Sequence, residues 1–228
     1  MIAGFEELDF VETPMGDLML RKRLVDGTEV FEVKLGDEYL MSSMFVVAEE
    51  ELSRLGLAAV SGEGLDVMVG GLGLGYTAVA ALDPRVGSLT VVETMAAVID
   101  WHERKLLPVS AVLVDDPRTT LRQADFFALV RSAPETQWDA ILVDIDHSTE
   151  HQLDASHADL YTVDGLTRLA AHLTPGGVFA LWSDDPPLAS FEASLKKVFA
   201  FTESHVVSFD NQLTGGVSTN SVYVARKD

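Results

Sequence analysis

The stretch DVMVGGLGLGYTA, residues 66–78, decides how this chain is read: a short apolar run feeds four glycines within six positions before the sequence turns helix-friendly. A glycine-rich turn between a strand and a helix lets backbone approach a ligand closely, while the helix start offers unpaired N–H groups. Gly70, Gly71, Gly73 and Gly75 are therefore candidate cofactor-binding residues. The loop alone specifies only a nucleotide-like ligand. Gly73, Gly75 and Ala78 also satisfy the dinucleotide spacing G-x-G-x-x-A, so NAD stays open here, as does a tight turn chosen for helix–sheet packing.

Outward from the loop, short β-rich runs alternate with helical segments. The runs are VMV (67–69), LTVV (89–92), AVLV (111–114), AILV (140–143) and VFALW (178–182). Such alternation predicts a parallel sheet covered by helices on both faces. The end differs, because helix 188–200 leads into HVVSF (205–209) and NSVYVA (220–225), which read as an antiparallel pair. A parallel sheet with a reversed terminal hairpin is the seven-strand, Rossmann-like arrangement of class I AdoMet-dependent enzymes. Upstream, residues 1 to about 45 alternate apolar and polar positions, with turns at Pro14-Met15-Gly16 and Asp26-Gly27, and predict two or three antiparallel strands. A helix follows with Phe45, Val46, Leu52 and Leu55 on one stripe, and Glu49 to Glu51 expected to face water. The chain thus divides into a small β domain with its linking helix, residues 1–60, and a ligand-binding domain, 61–228.

Carboxylates follow the strands in order. Glu93 closes LTVVET, where an acid can accept hydrogen bonds from ribose hydroxyls, and both NAD and AdoMet sites use that device. Asp125 lies in RQAD after the third strand, and Asp144 ends AILVD. The carboxyl ends of an open α/β sheet line its ligand crevice, so glycine, Glu, Asp and Asp reach one rim. A lone strand-end Asp is often only a helix N-cap; four such ends in order point to a binding site.

Composition bounds the partners. With 36 Asp and Glu against 16 Lys and Arg, a net charge of −20 argues against nucleic acid and fits a solvated surface or a cationic substrate. The chain has no cysteine, which removes disulfides and thiolate ligands together. No apolar window reaches the roughly 18 residues of a membrane span, and the start lacks a secretory pattern, so a cytoplasmic protein without membrane contact is expected.

The blocks DVMVGGLGLGYT, VVET, DDPR (115–118), QAD, WDAILVDID (138–146), DLYT (159–162) and LTPGGVFALW (173–182) resemble those of the spermidine synthase family. GDEYLMSSMF (36–45) before a helix is similar to the end of that family's small β domain. The resemblance implies an AdoMet-type fold, S-adenosylmethionine or its decarboxylated form as cofactor, a small-molecule acceptor and a homodimer. It assigns ribose to Glu93, the adenine amino group to Asp125, and the place beside the attacking amine to Asp144. Tyr39, Asp146, His147 and Tyr161 are the substrate-side candidates it suggests.

Departures from the family pattern fall on the substrate side. Gly73 stands where the family carries a loop Asp near the cofactor's aminopropyl nitrogen, and Met41 and Ser42 replace a Tyr followed by Gln or His. His147 takes the place of the second Asp of a D-S-S-D-P box, and Gly165-Leu166 that of a Tyr pair. A decarboxylated cofactor presents a cationic tail that calls for carboxylates, whereas AdoMet adds a carboxylate of its own. Loss of the loop acid favours AdoMet and methyl transfer to an amine or another small nucleophile, over aminopropyl transfer, aminocarboxypropyl transfer or a non-catalytic adenosine-binding role.

The segment DIDHSTEHQLDASHADLY (144–161) raises a metal alternative, because His147 and His151 are four apart among oxygen donors. Its spacing matches no zinc signature. It is read as a substrate-facing lid ahead of a plain surface loop, with no metal assigned. Trp101 and His102 are expected to be structural members of the helix after Glu93.

Overall fold

The computed structural model describes residues 4–211 and 213–228. Strands β1 (Phe5–Thr13), β2 (Gly16–Val25), β3 (Thr28–Leu35) and β4 (Glu38–Ser42) form a small antiparallel sheet in that order. The fourth strand exceeds the two or three expected, and its tight turn uses Gly36 at φ +57°. On this sheet Glu32 is buried between Arg21 and Arg23, whose Nε atoms donate to its two oxygens at 2.9 and 2.8 Å. Both oxygens meeting a fixed donor is what makes a buried carboxylate tolerable.

Helix α1 (Val47–Ala59) leads to the large sheet and packs on it. The approach is close at Gly56, where an added Cβ would lie 2.6 Å from Leu142 Cδ2. The large unit then runs β5 (Leu65–Gly70), α2 (Tyr76–Ala80), β6 (Val86–Glu93), α3 (Ala96–Glu103), α4 (Ser110–Asp115), β7 (Thr119–Gln123), α5 (Phe126–Arg131) and β8 (Trp138–Val143). A 3₁₀ turn (Ala155–Tyr161), α6 (Val163–Ala171), β9 (Leu173–Ser183), α7 (Ala189–Val198), β10 (Phe201–Asn211) and β11 (Gly216–Arg226) complete it. The seven strands lie in the order β10-β11-β9-β8-β5-β6-β7. Strands β9, β8, β5, β6 and β7 are parallel, while β11 runs antiparallel to both of its neighbours.

The interior strands are apolar because both faces are covered: Val67, Met68, Val69, Ile141, Leu142 and Val143 are wholly buried. Two hydrophobic clusters, one on each face of the sheet, account for this. One expected strand is a helix. AVLV (111–114) lies in α4, with Leu113 buried and Val112 exposed, and the third strand of the unit is the polar TTLRQ of β7. Four apolar residues do not distinguish a strand from a helix turn, and β7 sits at the sheet edge, where little apolar surface is needed.

Chain order reverses between β5 and β8, which pair directly, so the carboxyl ends of these two strands open the crevice. The small sheet is tied to the large unit through β1 and α3. Asp9 Oδ2 on β1 accepts from Trp101 Nε1 and from Arg104 Nη1, both at 2.8 Å. Among the described residues no helix is long and apolar enough to cross a membrane.

Candidate functional site

The glycine loop leaves β5 at Gly70 and enters α2 at Tyr76. Gly71, Gly73 and Gly75 all have positive φ (+94°, +48° and +91°), a region that penalises any Cβ. Space adds a second constraint at Gly71, where a Cβ would fall 2.0 Å from the Asp144 carbonyl oxygen. The strand ends are therefore drawn together by glycine, and Asp144 N–H donates to Gly70 O at 2.8 Å across them.

His102 on α3 supports this loop from behind. Its Nε2 lies 2.9 Å from Gly73 O and its Nδ1 3.0 Å from Ser110 Oγ. A carbonyl only accepts, so Nε2 carries the proton and Nδ1 accepts from the serine hydroxyl. Burial pushes the imidazole pKa down, against the pull of Gly73 O, which keeps that neutral tautomer. The residue was expected to be structural; what it structures is the loop.

Glu93 is buried at the end of β6. Its Oε2 accepts from Leu72 N–H at 3.1 Å and its Oε1 from Met95 N–H at 2.7 Å. Burial pushes the carboxyl pKa up while these backbone donors pull it down. Glu93 and Asp125 line one recess of about 260 Å³, with Gly71, Phe126 and Phe127 beside them. Asp125 is exposed and caps α5, accepting from Ala128 N–H at 3.0 Å, so it holds the N-cap role and a place on the recess wall together. The geometry suits an adenosine: glycines where a Cβ would intrude, a fixed carboxylate for hydroxyl donors, and aromatic walls.

A second cavity, of about 490 Å³, adjoins the first, and Met41, Gly73, Asp144 and His147 line both. Asp144 stands at the junction. Thr77 Oγ1 donates to its Oδ2 at 2.6 Å, which orients the carboxylate on the cavity wall. Burial pushes its pKa up, opposed by the threonine bond. Tyr39 lies on the rim, where Arg21 donates to its hydroxyl and the guanidinium carbon sits 5.0 Å from its ring centroid. His147 lines the wall between the small sheet and the crevice, with Nε2 3.3 Å from Glu38 Oε1.

Of the remaining substrate-side candidates, Asp146 lines the larger cavity and Tyr161 does not. Asp146 is buried, and its oxygens accept from Leu153 N–H (2.8 Å), His157 Nδ1 (2.8 Å) and Tyr161 Oη (2.7 Å). Those bonds pin segment 144–161, and His157 stacks on Phe127 with ring centroids 3.6 Å apart. Tyr161 is not among the cavity-lining residues; it is buried behind Asp146, with its ring edge-on to Phe191. The family's Tyr pair has no room at Gly165, where a Cβ would meet Asp159 O at 2.0 Å. Among the described residues no group of three or more His, Cys, Asp or Glu is arranged to hold a metal ion.

One expectation is overturned at the wall of the larger cavity. Glu49 does not face water; it lies half-buried on the cavity side of α1 with Asp144 and Asp184. Burial pushes its pKa up to about 8, with the Asp144 charge as the next cause. Positions 49, 52, 53 and 56 share one helical stripe, and Leu52, Ser53 and Gly56 are buried. The periodicity that located the core face of α1 therefore also located Glu49, and its acidic character concealed this.

Against known proteins, residues 49–209 match the Spermine/spermidine synthase domain model. A crystal structure of spermidine synthase in complex with the transition state analogue AdoDATO superposes with a TM-score of 0.77 at 20% identity, covering 98% of this chain and 74% of that one. Spermidine synthase from Thermotoga maritima gives a TM-score of 0.74 at 20% identity, covering 98% of this chain and 73% of that chain. Putrescine N-methyltransferase 2 from Nicotiana tabacum is 30% identical over 139 residues, 58% of this chain and 38% of that protein. The match thus spans well under half the length of that relative. The family match, together with a small antiparallel sheet and a seven-stranded sheet in the arrangement of spermidine synthases, places the chain in the spermine/spermidine synthase domain family.

Proposed function

We propose that the protein is an AdoMet-dependent methyltransferase acting on a small amine. The observation that carries this is the packing of Gly73 against Met41. A Cβ at position 73 would lie 2.8 Å from Met41 Sδ and 3.3 Å from Cε. The two departures from the family pattern therefore answer each other: the thioether occupies the space of the missing acid. A cofactor tail that is cationic loses its counter-charge there, and a tail carrying a carboxylate loses a repulsive neighbour.

The acceptor side supports an amine. Glu49, Asp144 and Asp184 line the larger cavity, and no Lys or Arg is among its described lining residues. A free alkylamine has a pKa near ~10.4, so about one molecule in 10³ is neutral at pH 7 and a base must act. AdoMet supplies a methyl group on a sulfonium. The chain's part is to place the amine in line with it and to take the amine's proton on Asp144, whose orientation Thr77 holds. A nearby anion also holds an ammonium proton more tightly, so proton removal is coupled to attack rather than completed before it. Aminopropyl transfer is the competing reading, since the same acids would accept a polyamine and the structural neighbours are spermidine synthases.

Calorimetric titration separates the two. Preference for AdoMet over decarboxylated AdoMet by tenfold or more, about 1.4 kcal/mol, is expected. Preference for the decarboxylated form overturns the methyl-transfer reading. The loop support adds a second expected result: His102→Ala raises the Kd of S-adenosylhomocysteine roughly tenfold through a slack Gly73 carbonyl, about the worth of one buried hydrogen bond. His102→Gln, which keeps a side-chain donor, recovers part of that loss; equal loss in both variants would mean that the hydrogen bond is not what holds the loop.

A further inference from the structure

The mechanism above leaves Glu49 without a task, although this carboxylate lies on the cavity wall and on the buried stripe of α1. An acid there costs folding energy unless something offsets it. The groups facing it are Asp144 after β8, Asp184 after β9, Tyr76 at the start of α2 and Glu50 on its own helix. None of these is cationic. Tyr39, Asp146 and His147 are the other titratable residues of the cavity lining, and the Asp146 oxygens already accept from Leu153 N–H, His157 Nδ1 and Tyr161 Oη.

We propose, resting on the reading of this cavity as an amine site, that Glu49 is a second acceptor-binding carboxylate paired with Asp144, and that the pair releases a proton to solvent when an alkylammonium enters. In the empty cavity two close carboxylates out of water hold one proton between them, because both cannot ionise without a counter-charge. The raised pKa of Glu49, about 8, has that cause after burial itself. An entering R–NH3⁺ provides the missing charge. The balance is pair-H plus R–NH3⁺ giving ionised pair·R–NH3⁺ plus H⁺, with no bond to carbon made or broken. Specificity follows: a protonated amine is accepted, whereas a neutral alcohol or a carboxylate gains nothing from the displaced proton.

The test uses 1,4-diaminobutane (putrescine) as the probe on protein saturated with S-adenosylhomocysteine, titrated calorimetrically at pH 7 in two buffers of different ionisation enthalpy. Wild type is expected to release close to one proton per molecule bound, and to bind about tenfold more tightly at pH 9 than at pH 7, since roughly a tenth of empty sites are fully ionised at the lower pH. Glu49→Gln, which copies the shape of the protonated acid, removes both the proton release and the pH dependence while S-adenosylhomocysteine affinity stays unchanged. Equal proton release in Glu49→Gln, or no binding of the diamine to wild type, overturns the proposal. Proton release without any methylated product when AdoMet is supplied removes the methyl-transfer reading and leaves the role of Glu49 standing.

Discussion

Asp144→Asn is expected to lower kcat by about 10² to 10⁴, the usual worth of a positioned general base, with cofactor affinity within a few-fold of wild type. The separation of the two effects rests on geometry. Asp144 touches the glycine loop through its backbone, where its N–H donates to Gly70 O at 2.8 Å and its carbonyl lies over Gly71. Asparagine keeps that backbone and can still accept from Thr77 Oγ1, so the crevice keeps its shape. What disappears is the charge facing the acceptor. Single-turnover kinetics with AdoMet and a small amine, beside a binding isotherm for S-adenosylhomocysteine, gives both quantities. A variant that turns over normally would move the base elsewhere, and Glu49 would be the next carboxylate to replace. The pair also shapes the pH profile. Both carboxyls have pKa values raised by burial, so catalytic base is recovered as pH rises through the titration of the pair, and the profile reports the pair rather than either residue.

The placement of the glycine loop and the strand-end acids at one crevice was legible in the sequence because it follows from backbone constraints and strand ends. Gly70, Gly71, Gly73 and Gly75 stand where the chain leaves one strand for a helix, and Glu93 and Asp144 each close a strand, so their position follows once alternation of strands and helices is recognised. The acceptor side was less legible, since its wall draws on segments far apart in the chain, among them β4, α1, the stretch after β8, the end of β9 and the terminal hairpin. Tyr161 illustrates the limit. A tyrosine beside an acidic segment resembles a substrate contact, yet its hydroxyl is consumed by Asp146, and that pairing is invisible before the 3₁₀ turn folds back. Glu49 shows the opposite failure, where periodicity held the answer and residue polarity argued against it. The misplaced strand 111–114 has a plainer cause, as an edge strand as polar as TTLRQ carries no apolar signal while a helix turn such as AVLV does.

Cofactor choice should be transferable by two substitutions. Gly73→Asp with Met41→Ala is expected to move the ratio of affinities for AdoMet and decarboxylated AdoMet by tenfold to over a hundredfold toward the decarboxylated form. The estimate comes from one unit charge acting across about 5 Å at an effective dielectric near 20, discounted for solvent to roughly 1.4–3 kcal/mol. Neither change alone suffices. Aspartate at 73 by itself would drive its Cβ to within 2.8 Å of Met41 Sδ, on a backbone with φ +48°, so the single variant is expected to lose affinity for both cofactors. Aspartate tolerates the left-handed region better than most residues, which makes the position recoverable once the thioether is removed. Met41→Ala alone opens space without adding charge, and should weaken both cofactors about equally. The interaction between the two substitutions, measured as a double-mutant cycle on each cofactor, is then the quantity of interest. Coupling that is favourable for the decarboxylated cofactor and absent or unfavourable for AdoMet identifies residue 73 as the place where this branch of the family chooses its cofactor. Equal coupling for both would mean that Met41 and Gly73 complement each other only in shape, and the choice between methyl and aminopropyl transfer would have to be sought on the acceptor side, among Glu49, Asp144 and Asp184.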